Sequence, residues 1–209
     1  MLPDYAHLIL FLTAMILLNL TPGSDVLYVA GQSLVNGKHG IYAALGTGTG
    51  GLIYVAITSA GLAAVIRQSL FIFNFIKIAG GVYLLYLAWK TFFNNQNLEI
   101  TANPKQSSLL KSYYRGILNN LLNPKVGIFF ITFLPQFTDP ARGKIYLQLL
   151  SLGLCFMISG TIVNIAYALL VANLKKQLFK KAAIKSWLNK ATAAIFCILA
   201  FKILTSKQS

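Results

Sequence analysis

Acidic side chains, and charged side chains in general, are scarce in this sequence. Asp and Glu number 4 among 209 residues, and charged residues make up 11%, whereas a soluble domain carries about 25%. Residues 5–24, 39–66 and 145–174 contain no Asp, Glu, Lys or Arg, and about 20 apolar residues span a bilayer. The composition therefore argues against a soluble enzyme or nucleic-acid module and predicts a multi-pass membrane protein.

Cysteine is also rare. Cys155 and Cys197 both lie in apolar segments, where a free thiol behaves as a small hydrophobic group. We therefore predict no disulfide framework, no metal site and no other cofactor. The start of the chain, Met1-Leu2-Pro3-Asp4, lacks the positive charge of a cleavable signal peptide, so we expect the first apolar segment to be retained.

The apolar stretches predict an all-α protein with six membrane-spanning helices. Their ranges are 6–35, 41–66, 70–92, 113–137, 145–173 and 186–205. The sixth helix spans only if Lys190 and Lys202 extend their side chains toward opposite interfaces. A chain with five spans is the alternative.

The basic residues flank the apolar segments and form no stripe, although the net charge is +14. This placement predicts no nucleic-acid partner and fits the rule that cytoplasmic loops are rich in Lys and Arg. We therefore expect the segments 94–112 and 174–187 to be cytoplasmic and both termini to lie outside. A lipid- or partner-recruiting patch is the less favoured interpretation of the basic cluster.

A polar linker, residues 94–112, divides the single predicted domain, 1–209, into halves of about 1–93 and 113–209. Each half has three predicted spans, so the second half enters the membrane from the opposite side, as in the inverted repeats of many transporters. An offset of 102 residues places Pro22 on Pro124. The sequence therefore predicts a 3+3 inverted repeat in which helices 1 and 4 are broken.

The first predicted break follows Asn19 in an otherwise apolar stretch. Thr21 is a good N-cap, and Pro22 suits the first position of a new helix. Together with Gly23 and Ser24, they predict a half-helix that begins inside the bilayer. The free N–H groups at the start of this half-helix suit a carboxylate. The alternative interpretation of the break is a proline kink used only for packing.

Asp25 is the one acid within a hydrophobic segment. A charged residue there costs about 3 kcal/mol, so it is retained for function or is paired. We predict that Asp25 binds an ammonium group, carries a proton, or does both in turn. A structural carboxylate paired with a lysine is the alternative.

The second predicted break repeats the cap and the proline as Asn123 and Pro124, shortly after Asn120. Lys125 then falls in the first turn of the new helix, where the helix dipole repels a cation. It requires a counter-anion, and the sequence offers Asp25 or a bound group. Lys77 is a further intramembrane lysine that either faces the pathway or extends to an interface.

The second segment carries several small residues on one face. Gly46 and Gly50 form a G-x-x-x-G pair, which favours close packing of helices. The accidental match of this glycine run to a dinucleotide-binding motif has no preceding strand and is discounted.

The sequence resembles the LysE/RhtB family of amino-acid exporters over nearly its whole length. Thr21-Pro22-Gly23-Ser24-Asp25 is similar to the T-P-G-P-D signature of that family, with Ser24 in place of the second proline, and Ala88 stands where glycine is usual. The other matches are Gly37, Gly40, Ala43, Ala44, Leu45, Gly46 and Gly50, then Lys77, Gly80, Gly81, Tyr83, Leu84 and Trp89, then Asn123-Pro124-Lys125, Phe129-Phe130 and Leu134-Pro135-Gln136-Phe137. The resemblance implies an inner-membrane protein that exports small amino acids from the bacterial cytoplasm and uses the proton-motive force.

We therefore expect a non-enzymatic, proton-coupled efflux transporter, with amino acids, protons and membrane lipids as partners and a homo-oligomer as an open question. The expected substrate-binding residues are Thr21, Pro22, Gly23, Ser24, Asp25, Asn123, Pro124 and Lys125, with Asp25 as the proton carrier and Asn19, Lys77 and Asn120 on the pathway. A cation or heavy-metal exporter is the first alternative, but one acid and two scattered cysteines supply few ligands. A membrane enzyme acting on lipids is the second, and it lacks a paired acid and base.

Overall fold

The computed structural model describes residues 5–21, 23–68, 70–93, 108–139 and 142–174, together with part of the segment 190–205. All the elements in these ranges are helices, which confirms the all-α membrane-protein fold. The α-helices are α1 (Tyr5–Leu20), α2 (Ser24–Val35), α3 (Gly37–Gln68), α4 (Leu70–Phe93), α5 (Leu109–Leu121), α6 (Pro124–Ile128) and α7 (Ile145–Leu174). After α6 the chain continues as a π-helix, Phe129–Phe133, and a 3-10 helix, Leu134–Phe137.

Both predicted breaks are present. The axis bends by 43° between α1 and α2, and by 49° between α5 and the segment that begins with α6. Within the described residues, Gly37–Leu62 and Ile145–Asn173 are each long and apolar enough to cross a membrane, and each bent pair adds one candidate span. The first and fourth predicted segments are therefore broken helices, whereas the count of six spans and the inverted repeat stay predictions.

The sixth predicted segment contributes to the core. Those of its residues that the structure describes, between 190 and 205, are helical. Phe196 and Ala200 are buried in the main apolar cluster, and the side chain of Leu204 lies against Gly81 of α4. This segment therefore packs against the rest of the protein, although its course across the membrane remains a prediction.

α3 is held close to α5 by glycines. A Cβ added at Gly46 would strike the carbonyl oxygen of Tyr113, and one added at Gly116 would strike that of Ala43. At Gly50, an added Cβ would lie 2.8 Å from the carbonyl oxygen of Ile117. The predicted close helix packing at Gly46 and Gly50 is therefore confirmed. The partner helix is α5 of the same chain, and these contacts set the position of its end.

The first break is built differently from the prediction. α2 begins at Ser24 with Gly23 as its N-cap, and no side chain caps it. The predicted cap, Thr21, donates its hydroxyl to the carbonyl oxygen of Leu17 at 2.8 Å. The prediction that Thr21 caps α2 is thus wrong, because a Thr hydroxyl can bond back to its own preceding turn. Pro22 lies before α2 and outside the described residues.

The second break follows the prediction. Asn123 is the N-cap of α6, and its side-chain oxygen accepts a hydrogen bond from the backbone N–H of Lys125 at 3.0 Å. Pro124 occupies the first position of α6, where its missing N–H costs no helical hydrogen bond. The π-helix that follows places Phe129 and Phe130 in the main apolar cluster.

Candidate functional site

The two breaks open onto one cavity. Residues from α1, α2, α3, α5, α6 and α7 line it, and they are Asn19, Asp25, Val26, Thr47, Gly48, Asn120, Lys125, Val126, Phe156, Met157, Gly160, Thr161 and Asn164. Its free space is about 30 Å³, and one ordered water needs about 10–15 Å³ by the same measure. A ligand larger than a few water molecules therefore has to widen the cavity.

Asp25 is held by the end of α5. Its carboxylate oxygens accept hydrogen bonds from the amide nitrogens of Asn119 and Asn120, at 2.7 and 2.8 Å. The Asp25 side chain is buried, and so is that of Asn120. A buried carboxylate requires such donors. Neutral amides satisfy the acid, and no lysine that the structure describes forms an ion pair with it.

Lys125 is held by the end of α1. Its ammonium donates to the carbonyl oxygens of Leu18 and Thr21, at 3.2 and 3.0 Å. These carbonyls belong to the last turn of α1 and the residue after it, where the helix dipole favours a cation. The expected counter-anion of Lys125 is therefore replaced by main-chain oxygens, which a sequence pattern does not reveal.

Each of the two charged residues is thus held by the other break. Asp25 is the second residue of α2 and binds the end of α5, whereas Lys125 is the second residue of α6 and binds the end of α1. Asp25 and Lys125 do not form an ion pair with an N–O distance within 4 Å. In the described part of the chain, such a pair joins Arg142 to Asp139. One cavity therefore holds an acid and a base that are not joined by a direct ion pair.

Gly23 provides the space for the Lys125 side chain. A Cβ added at Gly23 would lie 3.1 Å from the Lys125 ammonium nitrogen and 3.3 Å from its Cε. A Cβ at such a distance is tighter than most real contacts, so Lys125 would have to shift. The glycine of the first break therefore positions the lysine of the second.

Asn19 and the phenol of Tyr167 tie the end of α1 to α7. The Asn19 amide donates to the hydroxyl of Ser159 at 2.9 Å and to the carbonyl oxygen of Phe156 at 3.3 Å. Tyr167 donates to the carbonyl oxygen of Leu20 at 3.0 Å. At the other break, Tyr54 donates to the carbonyl oxygen of Leu121 at 2.7 Å. Side chains of α7 and α3 therefore satisfy backbone groups that each break exposes.

The cavity brings together Asn19, Asp25, Asn120 and Lys125 of the predicted site residues. Other predicted residues lie around these four: Thr21 and Asn123 are buried, Gly23 is half-buried, and Ser24 and Pro124 are exposed. Pro22 and the side chain of Lys77 lie outside the described residues.

Sequence reasoning missed Asn119 and the whole contribution of α7. Asn119 stands next to a predicted residue, and its burial against Asp25 depends on tertiary packing. Four α7 residues of the cavity lie on one face of the helix: Met157, Gly160, Thr161 and Asn164. The last three of them are small or polar. The small and polar members of this set, in a segment without charges, were the available signal.

The described residues include no group of three or more His, Cys, Asp or Glu side chains that could hold a metal ion. Both Cys155 and Cys197 are free and exposed on the surface of the helices.

Comparison with known proteins identifies the family. Residues 16–207 match the LysE type translocator family. An uncharacterized membrane protein of Vibrio cholerae is 27% identical over 94% of this chain and 96% of its own length. YrhP, an uncharacterized membrane protein of Bacillus subtilis, is 36% identical over 63% of this chain and 67% of its own length.

A homoserine/homoserine lactone efflux protein of Salmonella typhi is 27% identical over 95% of this chain and 96% of its own length. No solved structure matches the chain significantly. Because the family match covers most of the sequence, the chain belongs to the LysE type translocator family.

Proposed function

We propose that this protein exports amino acids from the bacterial cytoplasm and that the cavity between the two breaks is its substrate site. Membership of a translocator family supports this proposal, as does similarity to proteins named for homoserine and homoserine lactone efflux. The observation that carries it is the presence in one cavity of Asp25 and Lys125, which do not pair with each other.

A zwitterionic amino acid needs an anionic partner and a cationic partner. We propose that its ammonium binds Asp25 and that its carboxylate binds Lys125, since charge-assisted hydrogen bonds of this kind are stronger than neutral ones. We propose that six residues at the two breaks contribute main-chain groups to the substrate site: Thr21, Pro22, Gly23, Ser24, Asn123 and Pro124.

In this binding mode, the substrate replaces the present hydrogen-bond partners of Lys125 and Asp25. The substrate carboxylate replaces the carbonyl oxygens of Leu18 and Thr21 as the partner of Lys125, and the ammonium competes with the two asparagine amides for Asp25. Each exchange loosens a contact between one break and the other. The widening that a substrate requires would therefore begin with the release of these contacts.

Export against a gradient requires an energy source, and we propose that Asp25 carries a proton in exchange for substrate. Asp25→Asn keeps the size of the side chain but removes the titrating group. In proteoliposomes, this variant should lose uptake driven by a pH gradient while retaining part of the exchange of labelled for unlabelled homoserine. Unchanged gradient-driven uptake would remove the proton-carrier role from Asp25.

The substrates named for the Salmonella relatives provide a test of Lys125. Homoserine has both a carboxylate and an ammonium, whereas its lactone has no carboxylate. In Lys125→Met, affinity for homoserine should fall about tenfold or more, which is about 1.4 kcal/mol, while affinity for the lactone should change little. Equal losses for both ligands would contradict a carboxylate-binding role.

We further propose an inner-membrane protein of six spans in which the halves 1–93 and 113–209 form an inverted repeat within the domain 1–209. Segments 94–112 and 174–187 would be cytoplasmic, with both termini outside. Reporter fusions at the two loops and the two termini test this orientation, and a cytoplasmic terminus would overturn it.

A further inference from the structure

We infer that one face of α7, formed by Met157, Gly160, Thr161 and Asn164, recognises the side chain of the substrate and so determines which amino acids are carried. This inference rests on the proposed function of the cavity. These residues follow the i, i+3, i+4, i+7 spacing along α7 and all line the cavity, so they form one stripe on the helix.

The charged groups of the cavity do not discriminate between amino acids. Asp25 and Lys125 come from α2 and α6, and in the proposed mode they bind an ammonium and a carboxylate that every amino acid has. Selection between side chains must therefore come from other parts of the wall. Among the described residues, α7 contributes more to that wall than any other helix does.

The wall leaves little spare space where α7 meets α1 and α3. A Cβ added at Gly160 would lie 3.0 Å from the side-chain oxygen of Asn19. The side chain of Met157 packs directly onto Gly51 of α3, and that of Thr161 packs onto Gly48. A change in the size of an α7 residue would thus change the volume of the cavity, because the glycines opposite have no side chain that could move to compensate.

The α7 face combines an apolar group with polar groups. Met157 is buried and limits the length of a substrate side chain. The Thr161 hydroxyl donates to the backbone carbonyl of Met157 at 2.8 Å, and the Asn164 amide donates to the Thr47 hydroxyl at 3.1 Å. Thr161 therefore retains its oxygen as an acceptor for a hydroxyl group on the substrate.

Two variants separate length from polarity. Met157→Ala shortens the wall, and Thr161→Val removes the hydroxyl while keeping the shape. Ile158→Ala is the matched control, since Ile158 is the neighbour of Met157 and is 58% exposed. The purified full-length protein is reconstituted into liposomes, and kcat/KM is measured for L-alanine, L-leucine, L-homoserine and its apolar analogue L-norvaline.

Met157→Ala should raise the ratio of leucine to alanine about tenfold, and Thr161→Val should lower the ratio of homoserine to norvaline about tenfold, as expected for pocket contacts of this size. Ile158→Ala should leave both ratios unchanged. Ratios are independent of the active fraction, and either variant alone tests the inference if the other does not fold.

The inference is overturned if both ratios stay constant in the variants while the wild-type protein transports amino acids. If the wild-type protein transports none of the four, the proposed function itself fails. These outcomes are distinct, because the first is read from variants of a working transporter.

Discussion

The break between α1 and α2 and the break between α5 and α6 share a plan but carry opposite charges. In each break, the second residue of the new helix is charged, as Asp25 or as Lys125, and binds the end of the first half-helix of the other break. An offset of 100 residues relates these two positions, although the sequence similarity alone suggested 102. The resulting cross-connection links the two halves of the chain.

The two breaks differ in the kind of partner that each charge finds. Asp25 accepts hydrogen bonds from side chains, whereas Lys125 donates to main-chain carbonyls. The hydrogen-bond donors to Asp25 can therefore be removed by substitution. The carbonyl acceptors of Lys125 are part of the backbone, so their role is tested by displacing the lysine. Caps differ as well, since Asn123 caps α6 with its side chain and Gly23 offers none.

Removal of the acid should have the largest effect. In Asp25→Leu, transport of the amino acid that the wild-type protein carries should fall at least a hundredfold. The buried amide of Asn120 would lose its partner, at a cost of about 1–3 kcal/mol, and the half-buried amide of Asn119 would lose its partner at a lower cost. Uptake by proteoliposomes and thermal unfolding in detergent measure the two effects.

The matched variant replaces Asn119 and Asn120 by Leu together with Asp25→Leu. It should recover thermal stability without recovering transport, because the two amide donors are removed together with the carboxylate that they bind. Recovery of transport would show that the acid is dispensable and that the two breaks are not functionally equivalent.

The two asparagines should differ from each other. Asn120 is 2% exposed and lines the cavity, whereas Asn119 is half-buried, although each donates one hydrogen bond to Asp25. Asn120→Leu should lower stability by about 1–3 kcal/mol, and Asn119→Leu by less, since water can replace its amide. Thermal unfolding compares them, and equal losses would contradict the difference in burial.

Displacement of the lysine should have an intermediate effect. Gly23→Ala places a methyl group within 3.1 Å of the Lys125 ammonium, and overpacking of this kind costs about 1–3 kcal/mol. Homoserine affinity should fall about tenfold as Lys125 moves, as measured by ligand binding to the purified protein.

Gly61→Ala is the control for this variant, because a Cβ added at Gly61 has no neighbour within 4 Å. It should bind homoserine as the wild-type protein does. Wild-type affinity in Gly23→Ala would show that Lys125 tolerates the methyl group and that Gly23 does not position it.

Loss of the cap should have the smallest effect. Asn123→Ala removes the hydrogen bond to the backbone N–H of Lys125, which should cost about 1 kcal/mol. Thermal unfolding should show a modest loss for Asn123→Ala, and a loss as large as that of Asn120→Leu would contradict a role in capping alone.

Sequence patterns were sufficient for the parts of the fold that depend on local chemistry. Long uncharged stretches predicted the membrane helices, and Pro124 after Asn123 predicted the start of α6 at the residue where it occurs. The start of α2 was placed two residues too early. Thr21 resembles a cap in sequence, but its hydroxyl bonds to the preceding turn, and local pattern does not choose between these two geometries.

The sequence by itself determined that this protein is a membrane protein with two interrupted helices and with an acid and a base that are costly to bury. Only the tertiary structure decided how that cost is met. Glycines bring α3 and α5 together, and this packing sets the amides of α5 beside Asp25, while the carbonyls of α1 meet Lys125. Backbone groups and distant amides leave no mark in a sequence pattern, because every residue has a carbonyl and its partner depends on how the helices pack.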